Sequence, residues 1–460
     1  MSFPRYPEYK DSGVEWLGAV PEHWQVLPLK RDIAFLTSGS RGWAEHYSDE
    51  GALFLRIGNL TRDGIGLDLS DIQRVDVPEG TEGARTQVQQ GDVLFSITAY
   101  LGSVAVVPAG LETAYVSQHV ALARLRKDLF LPEWVAYVVS SWIGKTYLET
   151  QGYGGTKVQL SLEDVANTLV TAPPLPEQLA IATFIRYETA RLDNLMAEQE
   201  KLIALLKEKR QAVIAHAVTK GLDSTVSMKD SGVEWLGEVP AHWTVISLGR
   251  VTQEKCDGPF GSGLKSEHYT ESGVRVIRLQ NIRQDGFDGS DEAFIDAEYY
   301  QSTLAGRDVV TGDVLIAGLG DERNTVGRAC VAPDDISPAM VKADCFRFRL
   351  FTEIAVPAFV ARQLSVSASA DAGAFATGTT RSRIPLTVMA TRKVSLPPAK
   401  EQQEIVSWIE QEMVKLDALC AECQQAIDLL KERRTALISA AVTGQIDVRG
   451  LIKDKQEQAA

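Results

Sequence analysis

A stretch of 22 residues occurs twice in this chain with no gap: Lys10 to Arg31 reads KDSGVEWLGAVPEHWQVLPLKR, and Lys229 to Arg250 reads KDSGVEWLGEVPAHWTVISLGR. The spacing from Trp16 to Trp235 is 219 residues, the length of a whole domain, so the chain is one module written twice. Any fold it adopts must be built from two similar bodies. The shared Trp, Pro and Gly residues suggest a rigid opening segment packed against the domain that follows, with Trp16, Trp24, Trp235 and Trp243 in packing roles. His23 and His242 repeat beside those tryptophans, which favours a structural role for them as well.

A second shared block closes each copy. Pro173-Pro174-Leu175-Pro176-Glu177-Gln178 faces Pro397-Pro398-Ala399-Lys400-Glu401-Gln402, and double proline punctuates the end of a globular region. A long helix follows in each copy. Ile181, Ile185, Leu192, Leu195, Leu202, Leu206 and Val213 recur at steps of three and four, and Ile405, Ile409, Leu416, Leu419, Cys423, Leu430 and Leu437 keep the same register. Charges such as Lys207-Glu208-Lys209-Arg210 and Lys431-Glu432-Arg433-Arg434 lie outside this seam. Neither helix is apolar enough to be buried alone, so each needs a partner, and its own duplicate is the nearest one. About 40 residues at ~1.5 Å rise would span roughly 60 Å, a rigid spacer. Gly221 and Gly444 stand at the expected helix ends.

Between the shared ends the two globular regions agree in pattern and differ in residues. Phe54 to Leu60 (FLRIGNL) aligns with Val276 to Ile282 (VIRLQNI), each followed by Asp-Gly (Asp63-Gly64 and Asp285-Gly286). Gly91-Asp92-Val93-Leu94 aligns with Gly312-Asp313-Val314-Leu315. Short β-rich runs divided by Gly and Asp-Gly predict a mixed sheet with hairpins. The expected fold is α+β: two mixed α/β domains separated by two long antiparallel helices, with an internal pseudo-two-fold repeat. The expected boundaries are a first domain at 1–175, a spacer helix at 176–220, a second domain at 221–398, a second helix at 399–446 and a polar tail at 447–460.

Composition narrows the function. The chain is 45% hydrophobic and 23% charged, as in ordinary globular proteins. No window approaches the roughly 18 apolar residues of a membrane span, and the N-terminal residues do not resemble a secretion signal, so a cytoplasmic location is expected. The five cysteines, all in the second half, have no disulfide-framework spacing, and Cys420 and Cys423 read as small apolar residues on a helix face. A methyltransferase would carry an N-P-P-Y or D-P-P-Y run, and neither occurs. Gly258 to Ser266 imitates a phosphate-binding loop, but Leu264 stands where its lysine must be, so a structural or DNA-facing loop is the better reading. Pro333-Asp334-Asp335 begins like a nuclease motif and lacks the acidic-x-Lys partner, and the six histidines have no ligand spacing.

Together the S-G-V-E-W-L-G-x-V-P-x-H-W segment, the block Asp257 to Ser266 (DGPFGSGLKS), the P-P-x-x-E-Q boundary and the helix ending L-L-K-E-[KR]-R resemble the specificity subunit of type I restriction-modification systems. The match runs from about residue 10 to residue 450. The resemblance implies two target-recognition domains, each reading one half of a bipartite site on double-stranded DNA. It further implies that the helices set the spacing and dock two methyltransferase subunits, which restriction subunits join. S-adenosylmethionine, ATP and Mg are then expected on the partner subunits and no cofactor in this chain, which is expected to be non-catalytic. Two similar but non-identical readers on a rigid spacer would recognise two half-sites at one separation.

The base-reading candidates are divergent polar and cationic loop residues. In the first domain they are Arg41, Arg56, Asn59, Tyr100, Gln118, Thr156 and Lys157; in the second, Lys265, Arg278, Gln280, Asn281, Arg323, Asn324, Arg381 and Arg383. Arginine reads guanine and Asn or Gln reads adenine, while Lys and Thr more often hold phosphate. Arg56 and Arg278, at equivalent positions inside expected strands, read equally well as ion-paired structural residues. The formal charge of −14 opposes a nucleic-acid role for the isolated chain and supports the alternative, a coiled-coil scaffold that does not touch DNA. Local basic patches, or basic partners sharing the phosphate contacts, would remove that conflict.

Overall fold

The computed structural model describes residues 3–39, 41–77, 81–152, 159–284, 286–321, 323–370 and 382–451. The chain divides into two compact units: Met1–Glu200 with Gln424–Ala460, and Lys201–Cys423. The division falls inside the two long helices, not at the double prolines.

In the first unit an antiparallel sheet orders Ile33–Ser38, Val120–Leu125, Val93–Ser96 and Val104–Val106. Beside it lies a mixed sheet in which Ala114–Val116 runs parallel to Ala52–Leu55 and Arg74–Val75 pairs antiparallel with Ala52–Leu55 and with Tyr47–Ser48. Every residue of Val93–Ser96 is buried. Successive side chains of a strand point to opposite faces. Val93 and Phe95 enter a core shared with the helices, and Leu94 enters a second core against the mixed sheet. A sheet covered on both sides gives a continuous apolar run in place of alternation. The second unit repeats this. Thr252–Asp257, Cys345–Leu350, Val314–Ala317 and Ala329–Val331 form the antiparallel sheet, with Val314 and Ile316 in one core and Leu315 and Ala317 in the other. Its mixed sheet has five strands, with Val274–Ile277 parallel to Ala339–Val341. Two larger sheets per copy, one antiparallel and one mixed, with two-stranded ladders beside them, thus stand where one mixed sheet was expected.

The shared motifs brace this frame. In the first unit Glu177 of P-P-x-x-E-Q accepts hydrogen bonds from Tyr6 Oη (2.6 Å) and Trp24 Nε1 (3.2 Å), and its other oxygen lies 2.8 Å from His23 Nε2. In the second, Glu401 accepts from Trp243 Nε1 (3.0 Å) and lies 2.9 Å from His242 Nε2. The neighbouring glutamines act as clamps. Gln178 Nε2 donates to the carbonyls of Leu129 and Pro173 and its Oε1 accepts from Leu131 N–H; Gln402 does the same with Ile354, Pro397 and Val356. The structural reading of His23, His242, Trp24 and Trp243 is therefore met by one carboxylate per copy.

The long helices run over Leu175–Lys220 and Ala399–Val442. In the first unit the start of the former packs on the end of the latter, with Ile185, Leu192, Leu437 and Ile438 in one core and Arg434 Nε 3.0 Å from Asp193. In the second unit the roles reverse: Leu206 and Val218 pack with Ile405, Ile409 and Leu416, and Arg210 donates to Asp417 at 2.5 Å. The helices are therefore antiparallel partners. Cys423 is buried in that core and Cys420 packs on it, as small apolar residues do. The predicted seam is not continuous, because Leu195, Leu202 and Leu419 are exposed. Near the helix ends the sheet domains cover what the partner helix leaves open, and a bare two-helix seam covers less. Gly221 and Gly444 close the helices at φ +78° and +75°, and a Cβ on Gly444 would come within 2.3 Å of Pro21.

Candidate nucleic-acid interface

Several of the candidates prove to be parts of the frame. Asn59 is 4% exposed and Asn281 0%. Asn59 Oδ1 accepts from Arg56 N–H, and Nδ2 donates to the carbonyls of Asp68 and Asp71. Asn281 repeats all three bonds with Arg278, Asp288 and Asp291. A buried amide saturated by its own loop cannot reach a base, so both residues leave the set of readers. Arg56 and Arg278 sit one residue past their strands, not inside them, and each is half-buried and paired to the aspartate of that same loop, Asp71 and Asp291. These four residues close a loop brace common to both copies.

Of the second unit's other candidates, Gln280 and Asn324 line one cleft, and Arg383 pairs with Leu319 of its wall. A cleft of about 240 Å³ is lined by Gln280, Arg283, Asp321 and Asn324, with Arg328 at its floor. Gln280 and Arg323 are exposed. Asn324 is more engaged than expected: its Nδ2 donates to Asp321, and its Oδ1 accepts from Arg283 Nη1 at 3.3 Å. Arg328 is buried and donates to five backbone carbonyls, those of Leu279, Ile282, Leu319, Asn324 and Thr325. Burial holds its pKa below the ordinary guanidinium value. Leu319 leads into this loop and pairs across a short ladder with Arg383, whose guanidinium carbon lies 5.1 Å from the centroid of the Phe260 ring.

Phe260 brings in the glycine-rich block. A Cβ on Gly258 would fall 2.0 Å from the carbonyl carbon of Lys342, so only glycine permits that approach. From Ser266 the segment continues through a 3-10 turn (Ser266–His268) into a strand (Tyr269–Thr270), where a phosphate-binding loop would open a helix. Lys265 is exposed, with Glu267 3.8 Å away.

In the first unit Arg41 is exposed, and Tyr100 is exposed with the Arg62 guanidinium stacked 3.4 Å from its ring centroid. Gln118 is half-exposed beside His119, at 3.2 Å. Thr156, Lys157 and Arg381 lie outside the described residues. The sequence reading missed Arg62, Arg283, Arg328 and Phe260. Arg62 and Arg283 were within reach of it, since each immediately follows one of the aligned FLRIGNL and VIRLQNI segments or stands one residue further on.

These features define a class: a duplicated α+β protein whose two copies share a braced scaffold and a pair of long helices and differ in the polar loops at one end. No family model matches the chain. It is 22% identical to the type I restriction enzyme EcoKI specificity subunit of Escherichia coli (strain K12), over 93% of this chain and 90% of that one. It is 23% identical to the StySPI specificity subunit of Salmonella potsdam, over 96% and 95%, and to the EcoBI specificity subunit of Escherichia coli, over 73% and 70%. Two solved structures share the fold at 18% identity. One comes from work on assembly and conformational transition of the type I R-M system (TM-score 0.66, 92% of this chain and 98% of that one), and the other is the HsdS subunit of Thermoanaerobacter tengcongensis (0.53, 93% and 98%). The chain is thus similar to type I restriction enzyme specificity subunits over nearly its whole length. Among the described residues no helix is long and apolar enough to cross a membrane.

Proposed function

We propose that this chain is the DNA-sequence-recognition subunit of a type I restriction-modification complex, each copy reading one half of a bipartite duplex site. The observation that carries this reading is one braced frame used twice under two different sets of exposed polar residues, in a chain similar to specificity subunits along its length. The long helices set the spacing between the half-sites and dock two methyltransferase subunits. That role is supported by apolar side chains they leave exposed, among them Leu205, Val414 and Leu429. Methylation and cleavage, with their S-adenosylmethionine, ATP and Mg, belong to the methyltransferase and restriction subunits, and the complex works in the cytoplasm. A net charge of −14 makes the isolated chain a weak DNA binder, so recognition belongs to the assembly, where partners supply phosphate contacts.

The test is selection from a randomised duplex library by the chain assembled with its methyltransferase subunits, at physiological salt. The expected result is one bipartite sequence with a fixed gap. Exchanging residues 24–171 for the matching region of another specificity subunit should change one half and leave the other. Binding without sequence preference would favour the scaffold reading.

A further inference from the structure

The two copies share a backbone junction at the polar end, and the side chains mounted on it differ. In the second copy Gly318 N–H donates to the carbonyl of Asp344 (2.7 Å), Ile384 N–H donates to the carbonyl of Gly318 (2.9 Å), and Leu319 pairs with Arg383. In the first, Ile97 N–H donates to the carbonyl of His119 (3.1 Å), Leu160 N–H donates to the carbonyl of Ile97 (2.9 Å), and Thr98 pairs with Gln159. The bonds correspond one for one, and Leu160 and Ile384 are both buried beneath them. On this common mount the first copy carries His119 and Gln159, and the second carries Asp344 and Arg383. A fixed backbone under exchanged outward side chains is what a reading position requires, because the mount sets direction and the side chain sets chemistry.

In the second copy the exchanged side chain is aimed. Arg383 Nε donates to Asp344 Oδ1 at 2.7 Å, while the guanidinium lies over Phe260. Asp344 is itself constrained: its φ is +61°, a left-handed value uncommon for a residue with a side chain, and its N–H donates to Asp257 Oδ1 at 3.0 Å. The Arg383 side chain is 49% exposed, and neither Nη makes a hydrogen bond to a described residue. Its terminal fork is therefore presented with two parallel donors, which match the O6 and N7 acceptors of guanine.

We propose that residues 383 and 159 are equivalent base-reading positions. Arg383 reads a guanine in the second half-site, with Asp344 and Phe260 as its positioning residues, and Gln159 reads an adenine in the first. This rests on the recognition reading given above. Gln159, Asp344 and Phe260 were not among the residues picked out from the sequence.

The experiment uses the chain assembled with its methyltransferase subunits. Duplexes are selected from a randomised library, and affinities are then measured on the selected site and its single-base variants, with unfolding midpoints recorded for each protein. Arg383→Gln should weaken binding to the parent site about 10- to 100-fold, lose the guanine preference at one position of one half, and leave the other half unchanged. Gln159→Arg should move one position of the other half from adenine to guanine. Phe260→Ala should lower the guanine-over-adenine ratio about 2- to 5-fold at the Arg383 position alone, with Phe260→Tyr restoring it. If the parent selects a bipartite site and Arg383→Gln selects the same sequence at equal affinity, the inference falls and the recognition reading stands. Uniform weakening on every duplex would make Arg383 a phosphate contact and overturn the inference too. If the parent assembly selects no sequence, both fall.

Discussion

In the first copy Asp92 takes both ends of Arg124, at 2.8 and 2.7 Å, and in the second Asp313 takes Arg349 in the same bidentate way, at 2.9 Å each. Both aspartates are 1% exposed, and both also accept a backbone N–H, from Gln89 and Val310. Past the strand and loop that follow, the likeness ends. Ser103 stands in the first copy where Arg328 stands in the second, and the loop before it runs from Thr98 to Leu101 in the one and from Leu319 to Val326 in the other. The longer loop brings the carbonyls of Leu319, Asn324 and Thr325 within reach of the Arg328 guanidinium, which donates to all three. Where a side chain closes the common frame, as Asp92 and Asp313 or Asn59 and Asn281 do, the copies keep the same residues. Where a loop faces solvent they are free to diverge, and each divergence brings its own local support.

The largest effect should come from the support that exists in one copy only. Arg328→Ala takes a donor from five carbonyls, of which that of Asn324 keeps the Asp321 N–H, and should destabilise the second unit by about 3 to 4 kcal/mol, whereas Ser103→Ala should cost the first unit less than about 1 kcal/mol. Denaturant unfolding followed by hydrogen exchange in each unit would read both, and equal effects would break this contrast between the copies. The shared brace should give a smaller and unequal pair. Asp92→Ala should cost about 3 kcal/mol, and Asp313→Ala about 2 kcal/mol, because Arg349 keeps Asp308 at 2.9 Å and Glu254 at 3.1 Å. A reversed order in the same assay would show that those outer carboxylates do not share the arginine.

The smallest effect is a pH dependence. Burial, with Asp344 adding a like charge, pushes Asp257 from 3.8 up to about 6, partly offset by hydrogen bonds from the Gly258 and Asp344 N–H groups. A carboxyl whose folded pKa lies above its unfolded value favours the folded state fully below about pH 4 and loses that contribution as pH rises through about 6. Asp257→Asn should therefore gain stability relative to the parent between those values, by about 1 kcal/mol once solvent screening of this half-exposed group is allowed for. The first copy has Ser38 at the matching place, so the pH-dependent difference should be confined to the second unit. A flat difference across that range would remove Asp257 as its source.

Much of the fold was legible because duplication supplies an internal comparison. The opening segment, the double prolines, the two helices and the Gly-Asp turns each occur twice, and all of them have the same structural job in both copies. Of the candidate readers, Gln280, Arg323 and Arg383 are exposed, as divergent loop residues are expected to be. Asn59 and Asn281 misled because an asparagine that caps its own loop and one that reads adenine look alike in a sequence, and burial alone separates them.

The sequence by itself determined that there are two copies, that each ends at a proline pair, and that each is followed by an amphipathic helix needing a partner, because these follow from identity, backbone restriction and periodicity. Only the tertiary structure decided which polar residues are spent on the frame and which face outward. It was also what set Phe260 and Asp344, both distant from Arg383 along the chain, beside that residue. Local patterns carry the first kind of information because a few neighbouring residues set them. The second depends on strands distant in sequence meeting in register, which no local pattern specifies.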